Sequence, residues 1–291
     1  MRLSLANLYL VVNAIFNKAF QGVPLTYQKF TMTVPSSQAA EVYAWLAAIP
    51  GMREWIGDRV IHQLAGHDYT IKNKDFELTV SVSRNAIEDD NVGVYSPAFE
   101  MLGYEAAVFP EVLAYETLSN GFTTKCYDGQ YFFDTDHPVY DEADTTFSNM
   151  QSGTEPAWFL LCTNRPIKPI IWQNRKPAKL VALDKDTDQN VFMRKEFLYG
   201  SDLRGNCGYG LPHMAYGSKA ELNPENYRLA REAIRGMKSS SGKPLGLEPN
   251  LLIVPSTLEA SAKIILDSLE ISGSTNIWYK TSELIVASRL G

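Results

Sequence analysis

The residues best equipped for chemistry crowd into one stretch, where Cys126, Asp128 and His137 stand close along the chain. A thiol, a carboxylate and an imidazole are the groups from which a Cys-His nucleophile or a soft-cation site is made. Proximity in sequence does not set proximity in space, however, and neither a nucleophile elbow nor a thiol-protease signature surrounds Cys126. The histidines His62, His67, His137 and His213 fall in no HExxH or His-x-His pattern, which zinc hydrolases need to bring two rings to one ion. His62 and His67 flank an expected turn, a weak two-ligand surface pair. Cys126, Cys162 and Cys207 share no CxxC spacing, so structural zinc is not expected. Asp134-Thr135-Asp136, with Asp128 and Asp141 nearby, has the look of a calcium loop but lacks the glycine and terminal glutamate at their offsets. A loop of Asx turns is the expectation there. Gly205, Gly208 and Gly210 lack both the Lys-Ser/Thr of a phosphate loop and dinucleotide spacing. They are expected to permit positive φ or close backbone approach at a bend. No catalytic residue, metal or cofactor is assigned.

The chain that must hold these residues has 291 residues, 45% of them hydrophobic and 21% charged, the composition of a folded protein. The formal charge of -6 argues against a protein whose main task is coating nucleic acid. Charge is unevenly spread. Seven acids and no base lie between Lys125 and Arg165, whereas residues 165–195 carry eight bases against three acids. That asymmetry suits attraction between subunits as well as it suits a solvated acidic loop followed by ordinary surface lysines. Three widely spaced cysteines read as free thiols in a reducing compartment. The apolar run from Leu8 to Phe16 is too short to span a bilayer and no small-residue cleavage site follows it. Cytoplasmic synthesis is expected, with no membrane partner.

Periodicity places an amphipathic helix over residues 1–20 and a strand over 27–34. A helix opening at Ser36 or Ser37 should present Val42, Trp45, Leu46 and Ile49 and stop at Pro50. Residues 59–83 alternate as a long hairpin turning at Gly66–Asp68, with Phe76, Leu78, Val80 and Val82 on the covered face of its return strand. A helix over 96–120 has Pro97 in its first turn, and Pro110 should kink or divide it. Strands are expected at 158–162, 179–183 and 191–199. Asn223 should cap a helix that buries Tyr227, Ala230, Ile234 and Met237. A strand at 251–254 then precedes a helix opened by a Ser256/Glu259 capping box, and 284–287 is a closing strand. This mixture argues for an α+β or small α/β unit.

Several uncommon residues recur in an order that is more specific than any short motif. Tyr43-x-Trp45-Leu46 is followed by Pro50, Trp55 and Gly57, then by Asn73-Lys74-x-Phe76-Glu77 and by Arg84 with Glu88-Asp89-Asp90 and Gly93. A second block reads Cys126-Tyr127-Asp128-Gly129-x-x-Phe132-Phe133 and continues to His137-Pro138. Residues 249–269 form a weaker but compatible third block. In these blocks the chain resembles the Mu-like prophage major head subunit family.

The resemblance implies an α+β, Hong Kong 97-like phage capsid fold. Its parts would be an N-terminal arm and helix at 1–57, an extended loop hairpin at 58–83, a peripheral domain with a spine helix at 84–160, a mainly axial domain at 161–276, and a closing strand of the peripheral domain at 277–291. It also implies self-association into the pentamers and hexamers of an icosahedral shell. The other implied partners are a scaffold and head-maturation protease, a portal protein, a decoration protein, and packaged DNA enclosed without base readout. Gly66, His67, Asp68, Tyr69, Lys72 and Asn73, at the hairpin tip, are the expected intersubunit contacts. The alternatives are a related shell of a gene-transfer particle or compartment, and a hydrolase using Cys126 and His137.

Overall fold

The computed structural model describes residues 5–47, 69–89, 92–139, 145–239, 242–271 and 273–290. Helix α1 (Leu5–Gly22) leads to strands β1 (Thr31–Pro35), β2 (Ala40–Val42), β3 (Thr70–Lys72) and β4 (Lys74–Ser83). Helices α2 (Arg84–Glu88) and α3 (Val92–Ser119) come next, then the short strands β5 (His137–Pro138), β6 (Thr146–Phe147) and β7 (Met150–Gln151). Strands β8 (Trp158–Leu161) and β9 (Ile170–Leu183), helix α4 (Gln189–Arg194), strand β10 (Glu196–Tyr209) and strand β11 (Ala215–Ser218) follow. Helix α5 (Pro224–Arg235), strand β12 (Leu251–Val254), helix α6 (Glu259–Asp267) and strands β13 (Glu270–Ile271), β14 (Ser274–Thr275) and β15 (Glu283–Val286) complete the described chain.

Two sheets organise these elements. One has the order β1-β9-β10-β4 and the other β15-β12-β8-β11-β7. α1 and α3 cover the far half of the first. Leu8, Val12 and Phe16 recur every four residues along one face of α1 and are buried with Phe99 and Leu102 of α3 and Phe197 and Tyr199 of β10. Gly103 makes that contact close, since a Cβ there would sit 2.4 Å from the Phe16 carbonyl oxygen. On the second sheet, Tyr227, Ala230 and Ile234 of α5 and Ala262, Ile265 and Leu266 of α6 pack over Trp158, Leu160 and Leu252. A third cluster joins the sheets, setting Phe159, Leu161 and Ile253 of one against Ile170, Trp172 and Leu203 of the other, with Leu113–Leu118 of α3 beside them.

Several sequence expectations hold in detail. Asn223 caps α5 by accepting the Asn226 backbone N–H at 2.9 Å, and β12 is buried along its whole length. All three cysteines are free and buried.

Others are corrected. No helix opens at Ser36. The Glu41 carboxylate accepts the Ser37 and Gln38 backbone N–H groups at 2.8 and 3.0 Å, and the chain turns there into β2; of the expected stripe, Ile49 lies outside the described residues. α3 begins before Pro97 and is not divided at Pro110. It is held on both sides of the proline, by the Phe109 ring 4.5 Å from Phe76 and by Glu111 accepting the Thr26 and Tyr27 N–H groups. The expected strand at 191–199 is split between α4 and β10. Gly205 and Gly208 lie inside β10 instead of at a bend, and a Cβ on Gly205 would stand 2.5 Å from the Gln173 carbonyl oxygen. The Ser256/Glu259 capping box does not form, because a turn of 3-10 helix intervenes and Leu258 holds the capping position.

Of the expected hairpin over 58–83, the outward half and turn lie outside the described residues. Its return strand, β4, pairs among the described residues with β10, from Glu196↔Ser83 to Gly205↔Lys74, and so forms an edge strand of the four-stranded sheet. The domain ranges drawn along the sequence do not follow the sheets. β8, from the 84–160 range, and β15, from the 277–291 range, both pair with β12. β9 and β10, from the 161–276 range, build the other sheet with β1 and β4. Strand pairing across roughly a hundred residues is what interleaves the two bodies.

Candidate functional site

The segment after α3 folds back on itself and brings Cys126, Asp128 and His137 together. The Cys126 backbone N–H donates to the Gln130 carbonyl at 2.8 Å, closing a tight turn. The Cys126 thiol donates to Asp128 Oδ1 at 3.0 Å, as does the Gln130 N–H. Asp128 Oδ2 lies 2.6 Å from His137 Nδ1. On the other side of the ring, His137 Nε2 is 3.2 Å from Asn149 Oδ1. Asn149 donates its amide protons to the Phe132 and Pro212 carbonyls at 2.8 and 3.1 Å, so its oxygen is the atom that faces His137, and Nε2 is the donor. Phe147 stacks on His137 and packs on His213, with ring centroids 4.9 and 4.1 Å apart.

Burial sets the chemistry of this cluster. The side chains of His137 and Asp128 are 0% and 1% exposed. Burial, then the adjacent Asp128 charge, pushes the Cys126 thiol far above its ordinary range. Burial alone would raise Asp128, but the hydrogen bonds from His137 and Cys126 and the His137 charge bring its carboxyl below the usual value. Burial lowers His213 to about 3, helped by His137 and opposed by Asp128. A nucleophilic cysteine needs a lowered pKa and access to substrate, and Cys126 has the opposite of both. Two ligands of one tetrahedral ion with bonds near 2.0–2.1 Å stand about 3.3 Å apart. The 2.6 Å contact between His137 and Asp128 is instead a direct hydrogen bond. The cluster is a clamp that ties the loop before β5 to β7 and to the chain before β11.

Sequence reasoning named Cys126, Asp128 and His137 but did not name Asn149 and, though it weighed His213 as a metal ligand, did not join it to them. Neither belongs to the 121–140 block, and His213 lies on the far side of both long strands, so periodicity offers no signal for either.

The expected contact residues divide. Gly66, His67 and Asp68 lie outside the described residues. Tyr69 works within its own chain, its hydroxyl accepting the Tyr209 N–H at 2.8 Å and its carbonyl the Tyr43 N–H at 2.8 Å. Asn73 donates to Ser36 and to the Gln38 carbonyl, both at 2.8 Å, and accepts from Gln173. Lys72, in β3, has an exposed side chain. Part of the basic segment is also engaged internally, with Arg165 donating to the Leu245 and Gly246 carbonyls and Lys176 paired with Asp202.

Comparison with known proteins places these features. Residues 5–290 match the sequence model of the Mu-like prophage major head subunit gpT. The chain is 40% identical over 275 residues to the major capsid protein of Escherichia phage Mu, covering 90% of each. It is 41% identical over 261 residues to the Mu-like prophage FluMu major head subunit of Haemophilus influenzae, covering 87% of this chain and 85% of that one. Among solved structures, a chain of the bacteriophage JBD30 procapsid aligns with a TM-score of 0.86 at 38% identity, over 99% of this chain and 100% of that chain. A chain of the JBD30 capsid aligns with a TM-score of 0.80 at 33% identity, over 94% and 95%. These relatives are structural proteins, and none supports a hydrolase built on Cys126. With its α+β, Hong Kong 97-like capsid fold and a buried clamp where its chemistry-bearing residues meet, this chain belongs to the Mu-like prophage major head subunit family, as a structural head subunit and not an enzyme.

Proposed function

We propose that copies of this chain form the pentamers and hexamers of an icosahedral head that encloses double-stranded DNA. The observation that carries the reading is the near-complete alignment with the JBD30 procapsid subunit, which leaves no large part of either chain unmatched. In this arrangement the β1-β9-β10-β4 sheet with α1 and α3 is the peripheral body, and the β15-β12-β8-β11-β7 sheet with α5 and α6 is the axial body. The segment around Gly66, His67, Asp68, Tyr69, Lys72 and Asn73 meets a neighbouring copy, with the exposed Lys72 available to it and Tyr69 and Asn73 fixing the base from which it extends. Apolar contacts supply most of the association free energy and charges select register.

Assembly takes place in the host cytoplasm with a scaffold and head-maturation protease and with a portal protein. A JBD30 capsid is described as decorated with minor capsid protein trimers, and a decoration protein of that kind is the proposed outer partner here. DNA is held by confinement, in keeping with a formal charge of -6. The test is cryo-electron microscopy of the chain expressed with and without its scaffold. Closed shells, tubes, or rings of five and six are expected. A strictly monomeric chain beside its scaffold would overturn the proposal.

A further inference from the structure

On the face of β10 that α3 covers, Phe197, Tyr199, Ser201 and Leu203 follow one another at every second residue, and all four are buried. Ser201 breaks the row. It is 6% exposed, and its hydroxyl has no hydrogen-bond partner among the described residues. A buried hydroxyl left in that state costs free energy that one partner would restore. A small residue in a row of large ones also leaves space, and here the space is a cleft of about 470 Å³ between the sheet and α3.

Strand register defines the walls. Ser201 stands opposite Leu78, and Leu203 opposite Phe76, across the β10–β4 pairing, so these four side chains make the floor. α3 closes the other side with Ala106 and with Phe109, whose ring packs on Phe76. Leu78 is 40% exposed, so its side chain is free to turn away from Ser201 as a ligand enters. The volume lies in the range of small-molecule sites, and apolar walls around a few polar groups are what such sites have. The rim carries three acids and no base. Asp75 is paired with Arg204, and Glu77 accepts the Thr79 hydroxyl. Glu105, one helical turn before Phe109, is the exposed carboxylate that no described group pairs with.

We propose that this cleft binds a small organic cation whose flat apolar ring carries a hydroxyl at the end away from the amine, the pattern of tyramine. The ligand hydroxyl donates to Ser201 Oγ, the ring lies among Phe76, Phe109 and Leu203, and the ammonium pairs with Glu105. Each part of the ligand answers one feature of the site. An anion would meet three carboxylates with no base to offset them. A plain hydrocarbon would leave the Ser201 hydroxyl as it stands, without a partner. The bound molecule touches both α3 and the edge strand β4, so it stabilises their packing. The proposal stands on the cleft and does not depend on the shell reading above.

The test is calorimetric titration of the full-length chain with three probes. These are tyramine, phenethylamine, which lacks the hydroxyl, and para-hydroxyphenylpropionate, which exchanges the ammonium for a carboxylate. Tyramine should bind with a Kd of about 1 mM, ordinary for a molecule of its size. Phenethylamine should bind about fivefold more weakly, the worth of one hydrogen bond, and the propionate should not bind. In Ser201→Ala the two amines should bind equally, with the melting temperature held because an unpartnered hydroxyl has been removed. Glu105→Gln should weaken both amines about threefold, as loss of an exposed ion pair does. Absence of saturable tyramine binding to the wild-type chain would overturn the proposal. Equal affinity for the propionate would do so as well, and affinities that neither substitution alters would place the probe elsewhere on the chain and sink it.

Discussion

His213 is buried against Phe147, and its Nδ1 has no hydrogen-bond partner among the described residues. Its folded pKa of about 3 lies below the ordinary 6.5. Between those values the unfolded chain binds a proton that the folded one does not, so this residue's contribution is complete above pH 6.5 and is lost as pH falls toward 3. The expected slope is at most about 1.4 kcal/mol per pH unit. His213→Gln should flatten that part of a pH series of chemical-denaturation midpoints, and an unchanged slope would count against the assignment. The clamp itself should respond unequally to its members. Cys126→Ala removes one hydrogen bond and should cost about 1 kcal/mol with assembly intact. Asp128→Ala leaves His137 buried without its partner and should cost about 3–5 kcal/mol, measured by urea denaturation. The cluster was half legible in the sequence. Its thiol, carboxylate and first imidazole lie in one block, but Asn149 and His213 arrive through the tertiary fold, and burial, which decides that the thiol stays neutral, is not written in residue spacing.

At the scale of elements, those with a strong internal period were legible and those decided by distant partners were not. α5 is an example of the first kind, with Tyr227, Ala230 and Ile234 at helical spacing behind an Asn-Pro start. β10 is an example of the second. Its buried positions include Gly205, Ser201 and Cys207 as well as Phe197 and Tyr199, so hydrophobic alternation is diluted, and its length comes from pairing with β4 on one side and β9 on the other. α4 is short enough that its form depends on Asn190, which donates to the Leu183 and Glu196 carbonyls at 2.9 and 2.7 Å. The α1–α3 contact offers a direct check on this kind of packing. Gly103→Val should push the Phe16 backbone away, destabilise the chain by about 1–3 kcal/mol, and expose α1 to limited proteolysis before the rest of the protein. Equal protease resistance in the variant and wild type would show that α1 does not depend on that close approach.

In the whole molecule the two sheets are welded by a shared aromatic core, in which Phe132 stacks on Tyr209 at 4.5 Å and Phe133 packs on Phe159 at 5.3 Å. The continuity of this core goes with an interleaved chain: each sheet recruits strands from more than one of the ranges that the resemblance implied. The same interleaving bears on timing. β15 lies parallel to β12 at the edge of the five-stranded sheet, aligned from Leu251↔Glu283 to Val254↔Val286. The ribosome must therefore deliver residue 286 before that edge is covered. Until then the four apolar residues of β12 present an unpaired edge. A chain stopped before Glu283 is expected to be insoluble and to be absent from purified particles when co-expressed with the full-length chain, as quantitative mass spectrometry of those particles would report. Incorporation of the short chain in proportion to its synthesis would refute this. On that expectation the last strand to be made is also the one that admits a copy to the shell, and unfinished products stay out of a structure in which one faulty copy would disturb all its neighbours.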